Sequence, residues 1–155
     1  AMNPCPCGYS GSNIHYCTCS TKQNLSYQNR LSGPLRDRFD INLSLRPINF
    51  EAAAKAGEGE PSKIVRERVK EARERQYHRF GAEISNCRVS YDLLLRTSPI
   101  SGTQQTMLQE MASKKNWSNR TQIKIIRLAR TIADLQGSPI ITDQTIQEAI
   151  HLNMV

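Results

Sequence analysis

From residue 62 onward the apolar positions of this chain recur at helical spacing. Val65, Val69, Ala72 and Phe80 fall on one face of a segment that Ser62 can cap and Gly81 stops. Residues 91–95 predict a short second helix. Met107, Leu108, Met111 and Ala112 mark another over 103–115. Ser118 caps the next, which runs to Leu135 before Gly137-Ser138-Pro139 ends it. Thr142 caps a last one, with Ile146, Ala149 and Ile150 inward. Upstream the pattern changes. Residues 21–31 read as a polar helix with Leu25 and Tyr27 facing in, broken at Ser32-Gly33-Pro34. Residues 39–45 alternate apolar and polar, which predicts a half-buried strand ended by Pro47. Residues 51–61, rich in Ala, Gly, Glu and Lys, read as a linker. The expected domains are 1–50, then this linker, then a helical bundle over 62–155.

Four of the five cysteines lie in the first nineteen residues, as Cys5-Pro6-Cys7-Gly8 and Cys17-Thr18-Cys19. Residues i and i+2 of an extended segment point the same way, so each pair can turn two sulfurs to one side. A β-hairpin turning at Gly8, Gly11, Ser12 and Asn13 would bring the pairs together. Grouped thiolates in a reducing compartment usually hold zinc, in a tetrahedron of four sulfurs. The one-residue spacing is tighter than the common two or more, and Pro4 and Pro6 can pre-set the bend it needs. Three alternatives stand beside zinc: disulfides, an iron–sulfur cluster, and free thiols. His15 can replace one sulfur. Cys87 stands alone and reads as a half-buried small residue. The fold class expected is therefore mostly α, with a zinc-stapled β-hairpin and a short strand region ahead of the helical bundle.

The chain of 155 residues has a hydrophobic content of 38% and a mean hydropathy of −0.55, which fit a polar protein with one core or two small ones. No apolar run approaches the ~20 residues of a membrane span, and no signal-peptide pattern is present. A cytoplasmic location with no membrane partner is expected. Net charge +7 points to a polyanionic partner, nucleic acid, nucleotide phosphates or both; a merely basic surface is the plain alternative.

Two arginine features stand out. Arg38 sits in Asp37-Arg38-Phe39-Asp40, where an ordinary ion pair to either aspartate is the plain reading. Arg120 opens the helix after Ser118, and with Lys124 and Arg127 it forms one basic stripe. A helix N-terminus beside a guanidinium suits a phosphate; a solvated basic face is the plain alternative. The basic helix from Ser62 reads as solvated, with pairs such as Glu71 and Arg75. There is no G-x-x-x-x-G-K-[ST] loop, no H-E-x-x-H and no Ser/His/Asp set.

Read together, the block around Cys5 and Cys7, the Cys17-Thr18-Cys19 pair, Ser32-Gly33-Pro34-Leu35-Arg36-Asp37-Arg38-Phe39-Asp40 and Ala129-Arg130-Thr131-Ile132-Ala133-Asp134-Leu135 resemble the ComM/YifB group of magnesium-chelatase-like AAA+ ATPases. The resemblance runs nearly end to end. It implies that Asn3 is the sensor-1 residue orienting water at the ATP γ-phosphate. It implies that Arg38 is an arginine finger reaching a neighbouring subunit's ATP, a role worth ~10³–10⁵ in rate. Arg30 is a second candidate for that contact. Arg120 becomes the sensor-2 arginine of a lid formed by the bundle. By the same resemblance, ATP and Mg²⁺ bind the full-length protein, a homo-hexamer acting on DNA as a branch-migration helicase in recombination and natural transformation. Zinc, held by Cys5, Cys7, Cys17 and Cys19, is structural. A chelatase-type motor working on a protein–tetrapyrrole partner is one alternative; a stand-alone zinc nucleic-acid module is another. Two departures are visible. Arg36 stands where the family commonly has an apolar residue, and residues 151–155 lack the usual aromatic-arginine ending. The Walker A and B segments would lie upstream. The chain is thus expected to be one piece of a longer protein, monomeric and inactive alone.

Overall fold

The structure is a computed structural model and describes residues 1–45 and 59–154. Its helices among those residues are α1 Thr21–Gln28, α2 Gly33–Arg36, α3 Ser62–Phe80, α4 Tyr91–Thr97, α5 Gly102–Lys115, α6 Asn119–Leu135 and α7 Asp143–Met154. The chain divides into two compact units. One takes in Ala1–Phe39; the other takes in Asp40–Leu43 and the helices from α3 onward.

Local chemistry sets where most helices begin. The Ser20 hydroxyl accepts from the Gln23 N–H, and the Gln23 side chain accepts from the Ser20 N–H at 2.8 Å, a reciprocal cap on α1. Ser101 and Gln104 repeat the arrangement on α5. The Ser118 hydroxyl accepts from the Thr121 N–H on α6, and Thr142 and Thr145 exchange bonds at the start of α7. Helix α3 departs from expectation: Pro61 is its N-cap and Ser62 its first residue, with no side-chain cap. Gly81, at φ 65°, closes it in a left-handed conformation that a side chain would strain.

The core lies in the second unit and is built around α6. Ile125, Ile126, Ala129 and Ile132 of that helix meet Ile146, Ala149 and Ile150 of α7, Leu94 of α4, Leu108 of α5, and Val89 and Ile141 from the connections. Truncating a fully buried Leu94 or Ile125 to Ala would cost about 2–5 kcal/mol. Met107 and Met111 pack against this cluster, as their spacing predicts.

A polar network crosses the same unit. The Asp134 carboxylate, fully buried, pairs with Arg79 of α3 and with Arg130 one turn before it on α6, the latter at 3.0 Å. Asn86 donates to Asp134 Oδ2 at 2.9 Å and to Thr131 Oγ1 at 3.0 Å. Arg130 also donates to the carbonyls of Ser138 and Pro139, which fixes the turn before α7. Burial lowers the pKa of this guanidinium, against the pull of Asp134.

Three further expectations are corrected. No strand forms among the described residues, so neither the hairpin over the cysteines nor the strand over 39–45 is found there. Alternation describes one face of a sheet, but a strand also needs a partner ladder. In the segment 40–43 the Asn42 N–H instead goes to the Leu152 carbonyl, at 2.8 Å, and Ile41 and Leu43 stay exposed. Second, Val65 and Val69 of α3 are exposed, and the stripe is buried only from Ala72 on. Third, Leu25 is 60% exposed on a helix with no buried residue. Residues 46–58, which include Pro47 and most of the expected linker, lie outside the described part.

Candidate functional site

Tight turns, not strands, bring the four N-terminal cysteines together. The Gly8 N–H donates to the Cys5 carbonyl at 3.0 Å, and Gly8 at φ 85° turns the chain back. The sulfurs of Cys5 and Cys7 are 3.3 Å apart, those of Cys5 and Cys17 3.8 Å, and those of Cys7 and Cys17 3.6 Å. All four ligand atoms, Cys19 included, lie within 4.8 Å of one another. Zinc–sulfur bonds of about 2.3 Å in a tetrahedron require sulfur–sulfur edges of about 3.8 Å. These separations are far longer than the ~2.05 Å of a disulfide bond, and all four thiols are free. Donor type, number and spacing therefore fit a tetrahedral thiolate-bound metal.

The backbone already favours anionic sulfur. The Ser10 N–H donates to Cys5 Sγ at 3.2 Å. A backbone hydrogen bond from Tyr9, then the Cys5 thiol, lowers the Cys7 pKa to about 6. The backbone at Cys7 lowers the Cys19 pKa, but desolvation and the neighbouring Cys7 and Cys5 sulfurs outweigh it and push the value to about 12. Cys17 is raised too: a backbone bond from Cys19 opposes the shift, and desolvation and the same neighbours drive it. One thiol is thus ready to ionise while two resist, because each thiolate formed raises the cost of forming the next.

His15 is not a member of the cluster. Its ring lies against Tyr9, centroids 4.8 Å apart. Cys87 is exposed rather than half-buried, with its sulfur 3.1 Å from Ser85 Oγ.

Asn3 is exposed, two residues before Cys5, and its side chain lies over Gly8. Arg38 is exposed at the turn after α2. Arg36, the departure noted above, donates to the Gln28 carbonyl at 2.7 Å and so closes the end of α1. Arg30 lies over the Tyr27 ring at 5.6 Å. Arg120 is exposed in the first turn of α6. Of its stripe partners, Arg127 is committed elsewhere: it donates to the carbonyls of Cys87 and Val89.

Comparison with known families decides what kind of chain carries this arrangement. The family described as "Magnesium chelatase, subunit ChlI C-terminal" matches residues 59–153, and "Magnesium chelatase, subunit ChlI" matches residues 1–53. The chain is a magnesium chelatase ChlI family member, of the ComM/YifB group. It is 36% identical over its whole length to the uncharacterized protein YifB of Escherichia coli, covering 30% of that protein. It is 36% identical over 97% of its length to the competence protein ComM of Haemophilus influenzae, covering 29%. An uncharacterized protein of Mycobacterium bovis matches at 33% over 88% of the chain and 27% of its own length. This ChlI-family chain thus spans less than a third of these relatives. None of its described helices is long and apolar enough to cross a membrane.

Motif reading missed the network around Asp134 and the contact between Asn42 and the end of α7. A signal for the first was present. Arg130 and Asp134 stand four apart inside the apolar stripe of α6, where charged residues survive only as a pair. Nothing in the sequence marks Asn42.

Proposed function

We propose that this chain is the finger-and-lid portion of a ComM-like AAA+ ATPase that couples ATP hydrolysis in a hexameric ring to movement on DNA. The observation that carries the reading is similarity along essentially the whole chain to a competence protein, ComM. In this reading Arg38 enters the neighbouring subunit's ATP site and stabilises charge on the transferring phosphoryl group. Asn3 orients the attacking water. Arg120 contacts the phosphates bound by its own subunit, from a helix start whose dipole favours an anion. Cys5, Cys7, Cys17 and Cys19 hold a zinc ion that supplies a rigid cross-link and no catalysis. The exposed Lys22 and Arg30, near that cluster in sequence, are suited to phosphate contacts on DNA, as is the net charge of +7.

Arg38→Ala in a full-length ATPase carrying this chain tests the assignment. ATP binding should persist while hydrolysis is abolished; unchanged turnover would remove the finger. A chelatase-type motor is the second reading, favoured by the descriptions of both matching families. DNA-stimulated hydrolysis supports the first reading. Absence of DNA binding, together with activity on a porphyrin, supports the second.

A further inference from the structure

Between the two cysteine pairs the chain turns its rings to solvent. Tyr16 is 88% exposed, Ile14 68% and Tyr9 44%, and His15 is exposed beside them. Apolar and aromatic surface gathered in one place on a polar protein marks a contact. The backbone beneath it is held firmly. The Ser12 N–H donates to the Tyr9 carbonyl at 3.0 Å. The Ser12 hydroxyl accepts from the N–H groups of Ile14 and His15 at 3.2 and 3.1 Å. The sulfurs of Cys7 and Cys17, 3.6 Å apart, draw the two ends of the segment together. A ligand therefore meets these side chains with little ordering left to do.

The chemistry on offer is flat ring surface. The Tyr9 and His15 rings lie 4.8 Å apart at a tilt of 49°, and Tyr16 leaves nearly its whole ring accessible. Charge around them suits a polyanion. Residues 1–36 contain no aspartate or glutamate, while Lys22 and Arg30 lie among them. Gln28 of α1 donates from Nε2 to the Pro4 carbonyl at 3.4 Å, which ties the helix bearing Lys22 to the start of the cysteine turn. Four thiolates remain net negative even around a divalent ion, so phosphates belong with the cations and not over the cluster. Stacking needs no charge, and every base has a face for it. We propose that Tyr9, His15 and Tyr16 form a ledge on which unpaired bases of a DNA strand stack, with Lys22 and Arg30 taking its phosphates. The ledge rests on the DNA reading proposed above. It adds the surface that meets DNA, the contact made there and the state of the strand: single, because a duplex hides its base faces.

Fluorescence anisotropy of the reduced full chain tests this, with labelled oligothymidylate, an abasic strand and a duplex of equal length. Loss of a stacking ring corresponds to about fivefold to hundredfold in affinity, so Tyr16→Ala and Tyr9→Ala should each weaken oligothymidylate binding by that factor. The dependence of log affinity on log salt should keep its slope in both, because no phosphate contact is lost. Lys22→Ala should instead lower that slope. The abasic strand should bind weakly, and the duplex should bind Tyr16→Ala and wild type alike. Tyr16→Phe keeps the ring and should bind as wild type, which separates loss of stacking from misfolding. Wild-type affinity in the Tyr9→Ala/Tyr16→Ala double variant, with Lys22→Ala weakened, would overturn the ledge and leave the DNA reading standing. An abasic strand bound as tightly as oligothymidylate would overturn it too, as would Tyr16→Phe binding no better than Tyr16→Ala. Failure of the chain to bind any of the three would also overturn it. DNA-stimulated hydrolysis by a full-length ATPase, scored separately, would then decide the motor reading.

Discussion

Arg79 and Asp134 meet end to end: both carboxylate oxygens of Asp134 accept from the two terminal nitrogens of Arg79, one of them at 3.1 Å. The pair joins α3 to α6 across 55 positions of chain. The Arg79 side chain is 14% exposed and that of Asp134 not at all, so the carboxylate has no solvent to turn to. Removing the carboxylate would leave Arg79 and the buried Arg130 uncompensated. Asp134→Ala should therefore destabilise the helical unit by about 3–5 kcal/mol, read as a lowered urea midpoint. A loss below about 1 kcal/mol would mean that water enters the site.

Purified chain kept reduced should carry about one zinc ion, held by the four-thiolate set that the sulfur spacing fits. Elemental analysis and a zinc-release assay measure this directly. Protein with all thiols free and no bound metal would reject the centre. Cys17→Ser should lower the zinc content and loosen the N-terminal unit. It should leave thermal unfolding of the helical unit unchanged, since that unit has its own core.

Thiol reactivity should follow the pKa pattern. Thiolate, not thiol, attacks an alkylating agent. In metal-free chain at pH 7, Cys7, lowered to about 6, is mostly thiolate. Cys19, raised to about 12, is thiol. Iodoacetamide should mark Cys7 first and Cys19 late, and lowering the pH through 6 should abolish the preference. Zinc should protect all four and leave exposed Cys87 as the site that labels. Peptide mass spectrometry distinguishes these outcomes.

Ser118 and Arg120 should separate stability from nucleotide contact. Ser118→Ala removes the hydroxyl that accepts from the Thr121 N–H and should cost about 1 kcal/mol of stability. Arg120→Ala, at an exposed position, should change stability by no more than about 0.5 kcal/mol. In a full-length ATPase, Arg120→Ala should instead raise the KM for ATP. An unaltered KM would return Arg120 to a solvated face.

The helical half was legible because it is amphipathic and capped. The α6 stripe of Ile125, Ile126, Ala129 and Ile132 repeats at helical spacing behind Ser118, and the structure buries those residues. The cysteine cluster was legible because four sulfurs close in sequence have few ways to avoid one another. Residues 39–45 misled because period-two alternation says nothing about a partner strand, and here the Asn42 N–H found a helix end instead. Val65 and Val69 misled for a similar reason: helical periodicity marks a face, and only tertiary structure decides whether something covers it. The bond from Asn42 to the end of α7 was beyond reach, because residues so far apart carry no pattern.

Helix α3 is nineteen residues long, so it extends about 28 Å. Its second half is gripped through Ala72, Gln76 and Arg79. Its first half, residues 62–71, is exposed throughout, and pairs such as Arg68 with Glu60 and Lys70 with Glu74 sit in water, where each contributes little. One helix thus has two thermal histories. On warming, the turns at Ser62 should fray while those near Arg79 hold until the whole bundle melts. Amide protons should exchange in a gradient that runs down the helix toward Gly81.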